Sequence, residues 1–96
     1  MSTRRSKLEI MLTMLRAVKE GVEKPTRIMY AANLAYLPTQ RLLQSLVRQG
    51  LLNERFGTVS GRSKKRYEIT EKGSNALAYF EKASELIEIE MISRSS

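Results

Sequence analysis

Ser60-Gly61-Arg62-Ser63-Lys64-Lys65-Arg66 sets four cations within five positions, beside a glycine and between two short apolar segments, Leu51-Leu52 and Tyr67-Glu68-Ile69. Apolar segments flanking a glycine-containing polar run predict a β-hairpin, here with a positively charged tip that also includes Gly57. The cations stand too close together to be buried, because like charges at this spacing repel unless water or phosphate surrounds them. Thr58, Ser60 and Ser63 add hydroxyls able to donate to phosphate oxygens. Gly57 to Gly61 does not fit a nucleotide-binding loop, since the spacing is too short and no Gly-Lys-Ser/Thr follows.

Immediately upstream, the residues from Tyr36 to Gln49 read as a helix in which Pro38 is tolerated, the first turn having no intrahelical partner for its N–H groups. At about 100° per residue, Thr39, Leu43, Leu46 and Val47 fall on one side. Arg41, Ser45 and Arg48 lie opposite, Gln44 and Leu37 beside them, and Gln40 at the margin. Arg pairs with guanine O6 and N7 and Gln with adenine N6 and N7, so this outer face carries the side chains that read a major groove. Any soluble helix also turns Arg and Gln to water; what favours the reading-helix interpretation is the basic hairpin that follows Gly50, the expected helix cap. A helix followed by a basic hairpin is the wing-bearing form of the helix-turn-helix.

The rest of the chain supplies the scaffold. Leu8, Met11, Leu12, Leu15, Val18 and Val22 recur at helical steps and predict a first helix from about Arg5 to Glu20, stopped by Gly21. Thr26 reads as the N-cap of a short second helix, Arg27 to Asn33. Thr70 and Glu71 open a last helix, in which Leu77, Phe80, Ser84, Ile87 and Met91 recur at coiled-coil spacing and Ala83 broadens the seam. About 21 residues of helix extend about 30 Å, more than the preceding seventy residues can cover, so the distal half is expected to bury against a second copy. The fold class is therefore α+β, mostly α: three helices and a two-stranded wing in residues 1–70, and a long C-terminal coiled-coil dimerisation helix in 71–96, all within one compact unit.

Composition bounds the function. Residues 1–70 hold 14 Lys and Arg against 5 Glu, a net charge of +9, whereas residues 71–96 carry −2. A basic surface joined to an element of opposite sign suits a phosphate-binding face with a separate assembly helix. Cys, His, Trp and Asp are all absent. That leaves no disulfide framework, no Cys or His metal site and no histidine acid or base, and the Glu residues form no recognisable catalytic cluster, so no enzyme activity is expected. No cofactor and no small-molecule ligand is implied. The polar, cationic N-terminus is not a signal peptide and nothing approaches a membrane span, which predicts a cytoplasmic protein.

Three segments carry a family resemblance. Thr26-Arg27-Ile28-Met29-Tyr30-Ala31-Ala32-Asn33-Leu34, then Leu43, Leu46 and Val47-Arg48-Gln49-Gly50-Leu51-Leu52, then Tyr67-Glu68-Ile69-Thr70-Glu71-Lys72-Gly73, resemble the archaeal winged-helix proteins that dimerise through a long C-terminal helix. The resemblance spans about residues 5–92 and implies a homodimer on double-stranded DNA, a nucleoid-associated regulator or an abundant chromatin-type protein. By position it assigns Gln40, Arg41, Gln44 and Arg48 to the third helix, with Ser45 on the same outer face. It assigns Arg62, Lys64, Lys65 and Arg66 to the wing, with Ser63 among them. An architectural protein without sequence preference, or a winged-helix adaptor between proteins, would share the fold, because fold alone does not fix function.

Overall fold

The computed structural model describes residues 6–59 and 61–95, with side chains throughout except at 59, 62, 63, 84 and 87–95. The order is α1 (Lys7–Lys19), α2 (Pro25–Ala32), α3 (Tyr36–Arg48), β1 (Leu52–Val59), β2 (Arg62–Ile69) and α4 (Glu71–Ser95). Four helices and one antiparallel two-stranded sheet make a mostly helical molecule.

Local chemistry fixes each helix. Ser6 and Glu9 form a reciprocal capping box at the start of α1: the Glu9 amide donates to Ser6 Oγ at 3.1 Å and the Ser6 amide to Glu9 Oε1 at 2.9 Å. α2 begins earlier than Thr26 predicts. Pro25 occupies its first turn, where the missing N–H costs nothing, so Lys24 is the cap residue and Thr26 lies within the helix. The first three helices end alike. A residue with positive φ, Gly21, Asn33 or Gly50, is followed by one whose amide reaches back to the helix: Val22 to Ala17 O, Leu34 to Met29 O and Leu51 to Leu46 O. These are Schellman closures, and their apolar followers, Val22, Leu34 and Leu51, all rest against the core.

That core lies where α1, α2, α3, the root of the hairpin and the start of α4 meet. Met14, Leu15, Ile28, Leu43, Leu46, Leu52, Tyr67 and Leu77 are buried there. Thr39 is the one polar residue buried among the described side chains, and its hydroxyl is satisfied by Ala35 O at 2.8 Å. Pairing runs from Leu52 with Ile69 to Val59 with Arg62, so the hairpin is longer than the sequence suggests. Gly57 pairs with Lys64 inside the ladder, and Lys64, Lys65 and Arg66 stand on β2 rather than on the turn. The turn itself is short, with Gly61 at φ +76°.

α4 is anchored by its first turn. Thr70 Oγ1 accepts from the Gly73 amide at 2.9 Å and donates to Gly50 O at 2.6 Å, so one hydroxyl caps α4 and joins it to the end of α3. Lys72 Nζ donates to Gln49 O at 2.8 Å, setting a cation on the carbonyl end of α3. Replacing Thr70 by alanine removes both functions of the hydroxyl. It is expected to cost about 1–2 kcal/mol in chemical denaturation, with serine restoring most of it. A loss below about 0.3 kcal/mol would show that the cap is not stabilising.

Candidate nucleic-acid interface

Two elements build the candidate face. On α3, Leu37, Arg41, Gln44 and Arg48 follow one another at helical spacing and all four are exposed, while Gln40 is half-buried beside them. No acidic residue occurs anywhere in α3. Opposite this stripe, Leu43 and Leu46 are buried in the core and hold the helix by its back. Ser45 departs from the expected outer face. It is half-buried, accepts from Gln49 Nε2 at 3.0 Å, and lines an apolar groove with Leu8, Leu12 and Phe80, whose other walls are α1 and α4.

The hairpin divides its cations by the period of two in a strand. Glu54, Phe56, Lys65 and Tyr67 share one face by register, and Arg55, Lys64, Arg66 and Glu68 share the other. Lys65 Nζ lies 3.3 Å from Glu54 Oε2 and 5.6 Å from the centre of the Phe56 ring, so a carboxylate and an aromatic face both attract it. Glu54 Oε2 also accepts from the Tyr67 hydroxyl at 2.9 Å. Burial, the hydrogen bond to Glu54 and the charge of that carboxylate push the Tyr67 hydroxyl well above the usual tyrosine range, with a further push from Tyr36. Tyr67 therefore stays protonated and keeps donating. On the other face Arg66 pairs with Glu23 at 3.2 Å and Arg55 with Glu68 at 3.1 Å, which relieves the repulsion between Arg55 and Arg66 directly across the ladder.

Two of the four expected solvated cations are therefore already paired within the protein. Lys65 and Arg66 already hold carboxylates, and only Lys64, exposed and without an ion pair to a described residue, turns a bare charge to solvent among the described wing residues. The side chains of Arg62 and Ser63 lie outside the described residues. Between helix and hairpin, Gln44, Val47, Arg48, Glu54 and Lys65 line a depression of about 300 Å³. A further basic patch flanks the hairpin root, where Lys24, Arg27 and Arg66 converge around Glu23.

Glu23, Glu54 and Arg55 were not singled out in the sequence. Glu54 is legible once the register is known, because it falls opposite Tyr67. Glu23 and Arg66 are separated by 43 positions, and nothing local links them. Of the residues assigned to a dimer seam, Leu77 is instead buried in its own protomer's core, because the first turns of α4 close over α1 and the hairpin root. Phe80 and Ala83 are half-buried, and the side chains of Ser84, Ile87 and Met91 lie outside the described residues. No metal-binding cluster of acidic residues and no helix long and apolar enough to cross a membrane occurs among the described residues.

The winged helix-turn-helix family model matches residues 4–88. The chain belongs to that family. Among solved structures, this winged helix is similar to Sso10a-2, described as a DNA-binding protein from Sulfolobus solfataricus. The TM-score is 0.74 at 31% identity, over 95% of this chain and 90% of that one. It superposes on smu.1704 of Streptococcus mutans with a TM-score of 0.80 at 23% identity, over 98% and 94% of the two chains, a likeness of fold. An archaeal relative, the uncharacterized protein MJ0287 of Methanocaldococcus jannaschii, is 33% identical over 70 residues. That match takes in 73% of this winged helix and 64% of the relative's length. In winged-helix terms α2 and α3 are the helix-turn-helix and β1–β2 the wing.

Proposed function

We propose that this chain is a homodimeric protein of duplex DNA, a transcriptional regulator without enzyme activity, working in the cytoplasm on the nucleoid. α3 enters the major groove, and the wing rests on the backbone or in the minor groove beside it. The observation that carries this reading is the outer stripe of α3: Arg41, Gln44 and Arg48 exposed, no acid on the helix, and a cationic hairpin on the adjacent side. The likeness to Sso10a-2 at 31% identity supports DNA as the partner.

Two copies joined through α4 present two recognition helices, which calls for an inverted-repeat site. Support for the joint comes from the exposed Leu86 and Tyr79 and the half-buried Phe80 and Ala83 on a helix of 25 residues. An architectural protein that coats DNA has the same face, and the density of cations on the wing favours it as the second reading.

Anisotropy titrations of a mixed-sequence duplex and of a pool enriched from it, both across a salt series, separate the two. A steep salt slope with much tighter binding to the enriched pool is the expected result, and the enriched sequences are inverted repeats. A steep slope with equal binding identifies the architectural protein, and no binding at low salt removes DNA from the account. Arg41→Ala and Gln44→Ala relax preference at particular base pairs by about 1–3 kcal/mol each. An equal loss on every duplex would place these side chains on phosphate.

A further inference from the structure

The first turn of α3 is Tyr36-Leu37-Pro38, and all three residues are exposed. Leu37 leaves 61% of its surface in solvent and Tyr36 57%. Tyr36 and Leu37 lie outside this protomer's core and leave a small apolar surface at the leading end of α3 that a partner could cover. Position narrows what that is. Leu37 stands four, seven and eleven residues before Arg41, Gln44 and Arg48, which puts it on their stripe, one turn nearer the N-terminus. In a helix-turn-helix the N-terminal residues of the recognition helix lie against base edges. The surrounding charge also selects the occupant, because α3 carries Arg41 and Arg48 and no acid, a setting that attracts phosphate-bearing surfaces rather than an apolar protein. Along the major groove the apolar feature is the C5-methyl group of thymine.

Resting on the DNA reading above, we propose that Leu37 is a specificity determinant that packs against a thymine methyl, so that the site carries a T at a fixed place beside the bases met by Arg41 and Gln44. Leu37 makes no hydrogen bond to the base and therefore distinguishes thymine from cytosine and uracil by the methyl group alone.

Chemistry on the DNA tests this without disturbing the protein. In the enriched duplex each thymine is replaced in turn by deoxyuridine, which deletes one methyl and keeps every hydrogen bond, and anisotropy is read for the parent protein and for Leu37→Ala. One replacement per half-site is expected to weaken the parent about fourfold, the equivalent of about 0.8 kcal/mol for one buried methyl. The same replacement leaves Leu37→Ala unchanged. A parent that binds the enriched duplex tightly and is indifferent to every replacement overturns the inference while leaving the DNA reading intact. A methyl effect that persists in Leu37→Ala overturns it too, by assigning the contact to another side chain. A parent that binds no duplex at all fails at the DNA reading itself. A change in oligomeric state of Leu37→Ala in sedimentation velocity would show that a second copy covers Leu37, and the proposal would fall.

Discussion

Gly73→Ala is expected to lower the melting temperature by about 4–16 °C, because Gly73 alone among the glycines would set an added Cβ against backbone. The glycine has ordinary helical torsions, so its conformational freedom is not what the site requires. A Cβ there would run into the Leu51 carbonyl oxygen, with Ile69 Cγ1 at 2.9 Å and the Leu51 carbonyl carbon at 3.0 Å. That carbonyl cannot retreat cheaply, because it accepts from the Thr70 amide at 3.1 Å while the Leu51 amide is held by Leu46 O at 2.9 Å. Overpacking against fixed backbone costs about 1–3 kcal/mol or more, and the gain of about 1 kcal/mol from removing glycine within a helix offsets only part of it. For a domain of this size, each kcal/mol moves the midpoint by about 4–8 °C. Gly57→Ala is the matched control, since nothing lies within 4 Å of a Cβ added there. Thermal melts of the two variants decide the matter: a Gly73→Ala midpoint within about 2 °C of the parent would mean that the junction of α4 with α3 is loose.

Replacing Arg62, Lys64, Lys65 and Arg66 together by alanine should flatten the dependence of DNA affinity on salt and weaken binding to all sequences alike. Four cations that each neutralise a phosphate would contribute about 0.9 apiece to the slope. Lys65 and Arg66 must first release Glu54 and Glu23, which returns part of that gain, so the expected drop is nearer ~2 than the full ~3.6. The converse variant sharpens the test. Glu23→Gln with Glu54→Gln frees both cations and should steepen the slope by about 1–2 while raising affinity for random duplex. An unchanged slope in the fourfold variant would take the wing off the phosphates, and a drop of the full ~3.6 would mean that the two glutamates do not compete.

The hairpin and α3 were legible because their signals are local: glycine at the turn, cations in a run, and a 3.6-residue alternation from Thr39 to Arg48 with Gly50 behind it. The strand limits were less so. Glu54 and Lys65 sit on the core-side face among Leu52, Tyr67 and Ile69, and this mixture of polar and apolar residues hides the alternation that marks a strand. Thr26 misled because a good cap residue lies one step after Pro25, whose fixed φ starts the helix first. Leu77 misled for another reason, since a heptad position shows only that a side chain needs cover and not whether its own core or a second chain supplies it. The pairings of Glu23 with Arg66 and of Arg16 with Glu81 join residues far apart in the chain, and no pattern along the sequence marks them.

Glu23 holds β2 twice, its carbonyl accepting from the Tyr67 amide at 3.0 Å and its carboxylate from Arg66 at 3.2 Å. The connection between α1 and α2 thereby acts as a short third rail along the base of the hairpin. The base of the hairpin is consequently fixed to the helical scaffold in the free protein. A wing set in this way arrives at its partner already aimed, and the ordering entropy that a swinging hairpin would lose on binding is settled during folding. Affinity should then answer to the shape of the duplex, since a rigid caliper favours grooves of matching width and meets others at a cost in deformation of the DNA.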